Sequence, residues 1–209
     1  AITVTAENAT FVYDGRPHTA AAPRAAAQDG RTLADVTVYY GTSPVTSQNY
    51  GTANTAAPTI TNVGLMTVYY YVTGDNYTPV AGSVTVAVTP KDVTVTAKGS
   101  AVVYGEAAKD NGVSYTSFAG SDTAESLGLH PSYTYTTGGE SISDYVPGSD
   151  AGSYRITPAG LTAANYTYTH QAGTLTGAKK PLSDATFTRA DTAVEYTGKA
   201  YTPYATGRD

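Results

Sequence analysis

Apolar and polar residues alternate along much of the chain, and a period of two is typical of β-strands. In the segment 67–73 one face carries Val68, Tyr70 and Val72, whereas the other carries Thr67, Tyr69, Tyr71 and Thr73. The same alternation recurs in the segments 83–89, 92–97, 133–136 and 166–169. Because threonine occupies the outer face, the pattern predicts antiparallel sheets that are solvated on one side.

Turn residues separate the predicted strands, and only two stretches have helical character. Residues 20–27 are rich in alanine but are interrupted by Pro23. Residues 121–129 fit a short helical turn capped by Ser121 or Asp122. These elements predict an all-β chain of tandem β-sandwich modules that are immunoglobulin-like. The alternative is a β-grasp-like module in which one of the two stretches supplies the helix.

The chain repeats itself, which is typical of modular surface proteins and repeat arrays. Tyr13, Tyr104 and Tyr196 each end a strand-like run before a glycine-containing turn, and they are 91 and 92 residues apart. Three further pairs of landmarks keep an offset of 88 to 91 residues: 62–64 with 150–154, 76–77 with 165–166, and 81–86 with 172–177. We therefore predict a first repeat at 1–90, a second repeat at 91–180, and the truncated start of a third repeat at 181–209.

The predicted joint between the first two repeats is short, because strand patterns flank the segment 89–92 on both sides. A short joint limits hinge motion, so we expect the two repeats to form a semi-rigid rod. The chain opens directly on the strand-like segment 2–5 without the pattern of a secretion signal. We interpret it as an internal part of a longer polypeptide.

Composition narrows the classes of function. The 209 residues carry a net charge of -5, and 14% of them are charged. The chain has no cluster of Lys and Arg of the kind that phosphate binding requires, which argues against a nucleic-acid partner. It has no cysteine, which excludes disulfides and thiolate metal sites, and no apolar stretch long enough to span a membrane. Its aromatic content consists mainly of 19 tyrosines, with three phenylalanines and no tryptophan.

The ordered landmarks carry a family resemblance. The second repeat resembles the MBG domain of the YGX type through Tyr104–Glu106, Asp150–Ile156, Ala164–Tyr166 and Ala172–Thr176. The first repeat is similar to the related YDG-type immunoglobulin-like repeat through Tyr13–Gly15, Val38–Tyr40, Asn62–Gly64, Gly74–Tyr77 and Val88–Pro90. The resemblance implies tandem modules of bacterial adhesins at the cell surface or cell wall, without catalytic residues. One departure from the pattern, the longer segment 64–68, predicts a bulge or a shifted strand start.

Five tyrosines form the candidate ligand-contact site: Tyr39, Tyr40, Tyr69, Tyr70 and Tyr71. Tyrosine offers an apolar ring face and a hydrogen-bonding tip, which suits contacts with glycans or with an extracellular protein. Adjacent tyrosines on a strand alternate faces, however, so half of them must point inward. Filling of the core and the sheet surface is therefore the main interpretation, and ligand contact is the alternative.

The sequence offers few candidates for catalytic or metal-binding residues. The three histidines, His18, His130 and His170, are 40 or more residues apart, so no pair has helical ligand spacing. The acid pairs Asp144 with Asp150 and Asp122 with Glu125 do not match the spacing of a calcium loop. We expect no catalytic, cofactor or metal site, with a bound calcium ion as a minor alternative. The Tyr13–Gly15 turn has a structural explanation, because glycine accepts positive φ and aspartate hydrogen-bonds to the turn backbone.

The sequence thus predicts a non-enzymatic, monomeric, extracellular module, and its first hypothesis is a stalk or spacer repeat of a secreted bacterial adhesin. The second hypothesis is a module of the same adhesin that itself binds host glycan or protein. The third is an accessory region of a larger secreted enzyme.

Overall fold

Strands make up almost all regular structure in the part of the chain that the structure describes. The computed structural model describes residues 2–27, 29–33, 35–142, 144–182, 186–189 and 205–208. The strands are β1 (Ile2–Thr5), β2 (Ala9–Val12), β3 (Arg24–Ala27), β4 (Thr37–Gly41), β5 (Gly64–Gly74), β6 (Tyr77–Thr89), β7 (Lys91–Ala97), β8 (Ser100–Val103), β9 (Val113–Tyr115), β10 (Ser132–Thr137), β11 (Glu140–Ile142), β12 (Gly152–Ala159), β13 (Tyr166–Gln171), β14 (Gly173–Ala178), β15 (Thr186–Arg189) and β16 (Ala205–Arg208). The predicted all-β class is confirmed.

Neither helix-like stretch forms an α-helix. Arg24–Ala27 is strand β3, and the described ranges contain no α-helix, only 3-10 structure at Tyr50–Thr52 and at Leu182. The segment 123–129 forms an isolated turn in which the Leu127 N–H donates to the Thr123 carbonyl at 3.0 Å. Its cap is Thr123, whose hydroxyl accepts from the Ser126 N–H at 3.0 Å, and not Ser121 or Asp122. The β-grasp alternative needs a helix and finds none within these ranges.

The described chain divides into two compact units, each discontinuous in sequence. Unit 1 comprises Ala1–Val95, Tyr115–Ser132 and Gly160–His170. Unit 2 comprises Thr96–Ser114, Tyr133–Ala159 and Gln171–Asp209. Unit 1 therefore contains the first predicted repeat together with parts of the second. The bounds of the sequence repeats stay a prediction.

Unit 1 is built on a four-stranded sheet of order β2-β6-β5-β4 and a two-stranded sheet of β1 and β3. Strands β4, β5 and β6 pair antiparallel, whereas β2 pairs parallel to β6, with Val12 opposite Thr89. The bulge predicted at 64–68 is wrong, because β5 pairs regularly with β6 from Gly64 onward. The irregularity lies between Val72 and Gly74, where the hairpin turns back.

The main core of unit 1 lies between these two sheets. Val68, Val72 and Val86 project from β5 and β6 and are at most 1% exposed. They pack in one cluster with Ile2 and Val4 of β1 and with Ala25 of β3. Burying one such valine stabilises the fold by about 1.5–3 kcal/mol relative to leaving it in water. This packing of two sheets face to face is the arrangement of a β-sandwich.

Unit 2 contains a five-stranded sheet of order β11-β10-β12-β14-β8. Strands β12 and β14 pair antiparallel, and β8 pairs parallel to β14. Its core centres on Leu175, which is fully buried, with Val102, Ile156 and an edge-to-face pair of Tyr145 and Tyr154 around it. Buried residues again alternate with more exposed residues along β12 and β14.

Most of the predicted third repeat, including its turn at 196–199, lies outside the described residues. Strands β15 and β16 pair antiparallel, as β1 and β3 do at the start of the chain. A three-stranded sheet of order β13-β7-β9 is the last of the five sheets in the described ranges. No helix within the described ranges has the length and apolar character needed to cross a membrane.

Candidate functional site

The five candidate tyrosines are divided between the two faces of one sheet, as strand alternation predicts. Tyr40 and Tyr70 point into the core of unit 1, and each is 8% exposed. Burial raises the pKa of Tyr40. Two of the five candidates therefore fill the core, in agreement with the main sequence-based interpretation, and cannot offer a ring face to a ligand.

The other three candidates, Tyr39, Tyr69 and Tyr71, lie on the outer face of β4 and β5. Tyr39 is directly opposite Tyr71 in the antiparallel register, and Tyr69 lies opposite Gly41. Tyr39 and Tyr69 are half-buried, whereas Tyr71 is 7% exposed although it points away from the core. Another side chain must therefore cover Tyr71.

The covering residue is Tyr50, which sequence reasoning missed. Its ring stacks on Tyr71 at a centroid distance of 5.1 Å and meets Tyr39 edge-to-face at 5.2 Å. Asn49 fixes the loop that carries it, because its side chain accepts from the Thr46 N–H at 2.7 Å and donates to the Pro44 carbonyl at 3.1 Å. We call Tyr39, Tyr50 and Tyr71 the outer tyrosine cluster. Loop residues have no strand periodicity, so no sequence signal placed Tyr50 here.

The outer tyrosine cluster offers a ligand only part of its aromatic surface. Its rings already pack on one another, an arrangement worth about 0.5–1.5 kcal/mol for each pair. Tyr39 and Tyr50 keep a half-exposed surface. The same loop borders a shallow depression of about 320 Å³, whose lining includes Val45, Asn49 and Pro58.

A second group of tyrosines is buried, and their hydroxyls are hydrogen-bonded. In unit 1 the hydroxyls of Tyr13 and Tyr166 both donate to Oδ2 of Asp122, at 3.2 and 2.6 Å. The Tyr166 hydroxyl in turn accepts from the Ala119 N–H at 3.0 Å. Burial, together with the hydrogen bond to Asp122, raises the pKa of Tyr166 to about 12. Burial and the Asp122 charge also raise the pKa of Tyr13.

These tyrosines belong to a cluster that we call the junction core. Its buried members are Tyr13, Val88, Val93, Ala119 and Tyr166, and Phe118, Ile60 and Val63 pack against them. The Tyr166 ring meets both Tyr13 and Phe118 edge-to-face at 5.4 Å. The cluster combines residues of the first and second predicted repeats, so neither segment completes it alone.

Two asparagines add a polar link at the same place. Asn165 accepts from the Val63 N–H at 2.9 Å and donates from Nδ2 to the side-chain oxygen of Asn62 at 3.1 Å. The Asn165 carbonyl accepts from the Lys91 N–H at 3.0 Å. The asparagines of the repeated sequence motifs therefore serve backbone and side-chain partners within unit 1.

The histidines and acids do not assemble into a reactive site in the part of the chain described. His18 Nε2 lies 2.8 Å from Asp14 Oδ1, and its ring stacks on Phe11. His130 and His170 are exposed, and no group of three or more His, Asp or Glu residues could hold a metal within the described ranges. Asp122, named as a calcium candidate, instead accepts the two tyrosine hydroxyls.

The Tyr13–Gly15 turn has the predicted structural explanation. Gly15 has φ +80, and the Asp14 side chain accepts from the Arg16 N–H at 2.8 Å. That backbone hydrogen bond, aided by His18, lowers the pKa of Asp14. Tyr13 packs beside the turn in the junction core.

We expect the protein to lose stability between about pH 10 and pH 12. A tyrosine whose pKa is raised in the folded state stabilises the fold fully below its unfolded pKa of 10.0, and this contribution disappears as the pH rises through the folded value, about 12 for Tyr166. Burial raises the pKa of Tyr40, Tyr115, Tyr135, Tyr145 and Tyr168 in the same direction. Urea unfolding at stepped pH, followed with tyrosinate absorbance, checks this. A flat unfolding midpoint across that window would contradict it.

The five sheets define the described part of the chain as all-β. A family model, the MBG domain (YGX type), matches residues 93–176, inside the predicted second repeat. The match covers less than half of the chain and confirms the resemblance that the motifs of this segment predict. No curated protein matches the chain in sequence.

Several solved structures resemble the chain at low identity. They include a protocadherin gammaB4 extracellular domain (12% identity, TM-score 0.31, 99% of this chain and 40% of that chain). Drosophila N-cadherin EC1-4 (11%, 0.33, 87% and 50%) and fibronectin(III)-like modules of Clostridium thermocellum CbhA (16%, 0.26, 85% and 95%) also match. The chain spans half or less of the length of the two cadherins. At these scores the all-β assignment rests on the sheets described above.

Proposed function

We propose that the chain is a structural spacer: a tandem repeat segment of a secreted bacterial surface adhesin that holds other parts of that protein apart. The junction core carries this proposal. A module whose only task is to bind a ligand needs no shared core with its neighbour, whereas a spacer must resist bending at each joint. Here Tyr13 and Val88 of the first predicted repeat are buried against Val93 and Tyr166 of the second.

The polar contacts at the joint support the same role. A hydrogen bond to a charged group contributes about 1.5–3 kcal/mol, and the bond from Tyr13 of the first predicted repeat to the Asp122 carboxylate of the second crosses the joint. Its direction is fixed, so it opposes rotation as well as separation. The family whose model matches residues 93–176 fits a module without catalysis. We also propose that the protein is a monomer outside the cell.

The second candidate function is recognition of a glycan or an extracellular protein by the outer tyrosine cluster. Its specific support is the half-exposed surface of Tyr39 and Tyr50 beside the depression lined by Asn49. The low exposure of Tyr71 weighs against it, because that ring is already covered by Tyr50.

A binding screen of the full chain separates the two functions. We expect no saturable binding to mucins, matrix proteins or a glycan array, with calcium or with chelator. The reason is that the rings of the outer tyrosine cluster already pack on one another. A hit that disappears in the Tyr39→Ala, Tyr50→Ala double variant would contradict the spacer function and establish recognition. The matched control is Leu65→Ala, which removes an exposed apolar side chain of strand β5. A hit lost equally in the control would still contradict an inert spacer but would place the contact elsewhere.

A further inference from the structure

The joint between the first and second predicted repeats has a counterpart at the far end of the second. Strand β2 runs parallel to β6, with Val12 opposite Thr89, and β8 runs parallel to β14, with Val103 opposite Ala178. In each pair the next residue, Tyr13 or Tyr104, donates its N–H to the last carbonyl of the partner strand, Thr89 or Ala178, at 2.9 Å. Tyr104 therefore occupies the position of Tyr13.

The chain leaves the two pairs differently, because strand β7 begins at Lys91 whereas Leu182 lies in a 3-10 turn. Leu182 is not the counterpart of Val93, the fully buried valine of the junction core, since the 92-residue offset from Tyr104 to Tyr196 matches Val93 with position 185. The comparison of the two ends therefore rests on Tyr13 and Tyr104.

The environments of the equivalent residues Tyr13 and Tyr104 differ. Tyr13 is 7% exposed, whereas Tyr104 is 36% exposed. The difference has a local cause. Phe118, Ala119 and Tyr166 of the YGX-type segment cover Tyr13 and Val93.

The residues beside Tyr104 also match the polar partners beside Tyr13 in their strand positions. Gly64 lies opposite Val88 and Gly152 lies opposite Gly177, so Asp150 and Ala151 take the places of Asn62 and Val63. Asn62 accepts an amide hydrogen from Asn165 through its side-chain oxygen, and an aspartate carboxylate can accept the same hydrogen. The Ala151 N–H can donate as the Val63 N–H does.

We propose that Tyr104, with Asp150 and Ala151 at its border, forms a docking face for one further repeat of the YGX type. The incoming repeat would cover Tyr104 with its counterparts of Phe118 and Tyr166 and would accept the Tyr104 hydroxyl on its counterpart of Asp122. A second copy of this chain does not fit the face, because its own Phe118, Asp122 and Tyr166 already cover Tyr13. The inference deepens the proposed spacer function, since it identifies the partner of a joint.

A duplication within the full chain tests the docking face. Residues 92–180 are inserted between Lys180 and Pro181, which keeps the four-residue spacing from Ala178 to the inserted Val93. The first Tyr104 is then followed by a complete repeat, whereas the inserted Tyr104 keeps its natural successor, residues 181–209. Tyrosine nitration is followed in the tryptic peptide 99–109, whose single tyrosine is Tyr104.

We expect Tyr104 to be nitrated readily in the natural chain, and half of that peptide to be protected in the duplicated chain. Tyr13 is the internal control, since it stays protected in both proteins if unit 1 is folded. Asp122→Ala in the inserted copy alone should return at least part of the protected half to rapid nitration. Equal nitration of both copies of Tyr104 would overturn the proposal. An inserted copy that stays unfolded while Tyr13 is protected would also overturn it, because the docking face should complete the core of the inserted repeat.

This test is independent of the binding screen. A ligand found in the screen would overturn the spacer function and leave the protection of Tyr104 unaffected. Loss of that protection would remove the docking face and leave a silent screen unaffected.

Discussion

Replacing Tyr166 with alanine should lower the free energy of unfolding of unit 1 by about 3–5 kcal/mol, the cost typical of removing a large buried aromatic ring. The ring is 6% exposed and meets Tyr13 and Phe118 edge-to-face, so its loss leaves a cavity at the centre of the junction core. It also leaves the Ala119 N–H without its acceptor and Asp122 with one donor fewer. Urea unfolding followed by circular dichroism measures the loss.

A pair of matched variants separates the ring from its hydroxyl. Tyr166→Phe keeps the ring and should cost about 1–3 kcal/mol, because the buried partners of the hydroxyl are left unsatisfied. Tyr168→Phe, on the same strand, should cost almost nothing, because the Tyr168 hydroxyl is buried and makes no hydrogen bond among the described residues. Equal costs for the two phenylalanine variants would show that the hydrogen bonds of the Tyr166 hydroxyl contribute nothing to the stability of unit 1.

Replacing Gly82 with valine should lower the free energy of unfolding of unit 1 by roughly 1–3 kcal/mol for overpacking, and by more where the backbone must move. Gly82 lies directly opposite Tyr70 on the inner face of the sheet. A Cβ atom at Gly82 would overlap the ring and hydroxyl of Tyr70, whose own position in the core is fixed by its neighbours. The repeated Ala-Gly motif thus has a packing reason in the first predicted repeat.

The origin of this cost can be tested with a double-mutant cycle. Gly82→Ala should be costly in the natural chain and nearly free in a Tyr70→Ala background, which gives a coupling energy of about 0.5–3 kcal/mol. Gly152→Ala is the matched control, because this strand glycine has open space where its Cβ would lie. Additive effects of the two substitutions at positions 70 and 82 would contradict the steric explanation.

Local pattern was sufficient to predict the strands and the direction of their side chains. Val68, Tyr70 and Val72 point inward and Tyr69 and Tyr71 point outward, because a strand places successive side chains on opposite faces whatever lies around it. The Tyr13–Gly15 turn was predictable for a similar reason. Its aspartate acts on an amide only two residues away.

The polar interactions between distant parts of the chain were not predictable from local pattern. Asp122 was assigned as a helix cap or a cation ligand, since its sequence neighbours suggest both, but its partner Tyr13 is 109 residues away. Tyr50 was missed because loop geometry, and not periodicity, brings it onto Tyr71. The repeat offsets indicated that Tyr13 and Tyr104 are equivalent, yet only the structure shows that one is buried and the other exposed.

The parallel pairing of β2 with β6 has a mechanical consequence for a chain pulled from both ends. Tension applied at the two ends of residues 1–90 draws β2 toward its N-terminus and β6 toward its C-terminus, along one shared axis in opposite directions. The ladder from Ala9–Val86 to Val12–Thr89 is therefore loaded in shear, and its hydrogen bonds stretch together. A hairpin pulled at its open end unzips one bond at a time, so this strand pair gives the module a higher rupture force than its number of hydrogen bonds alone would suggest.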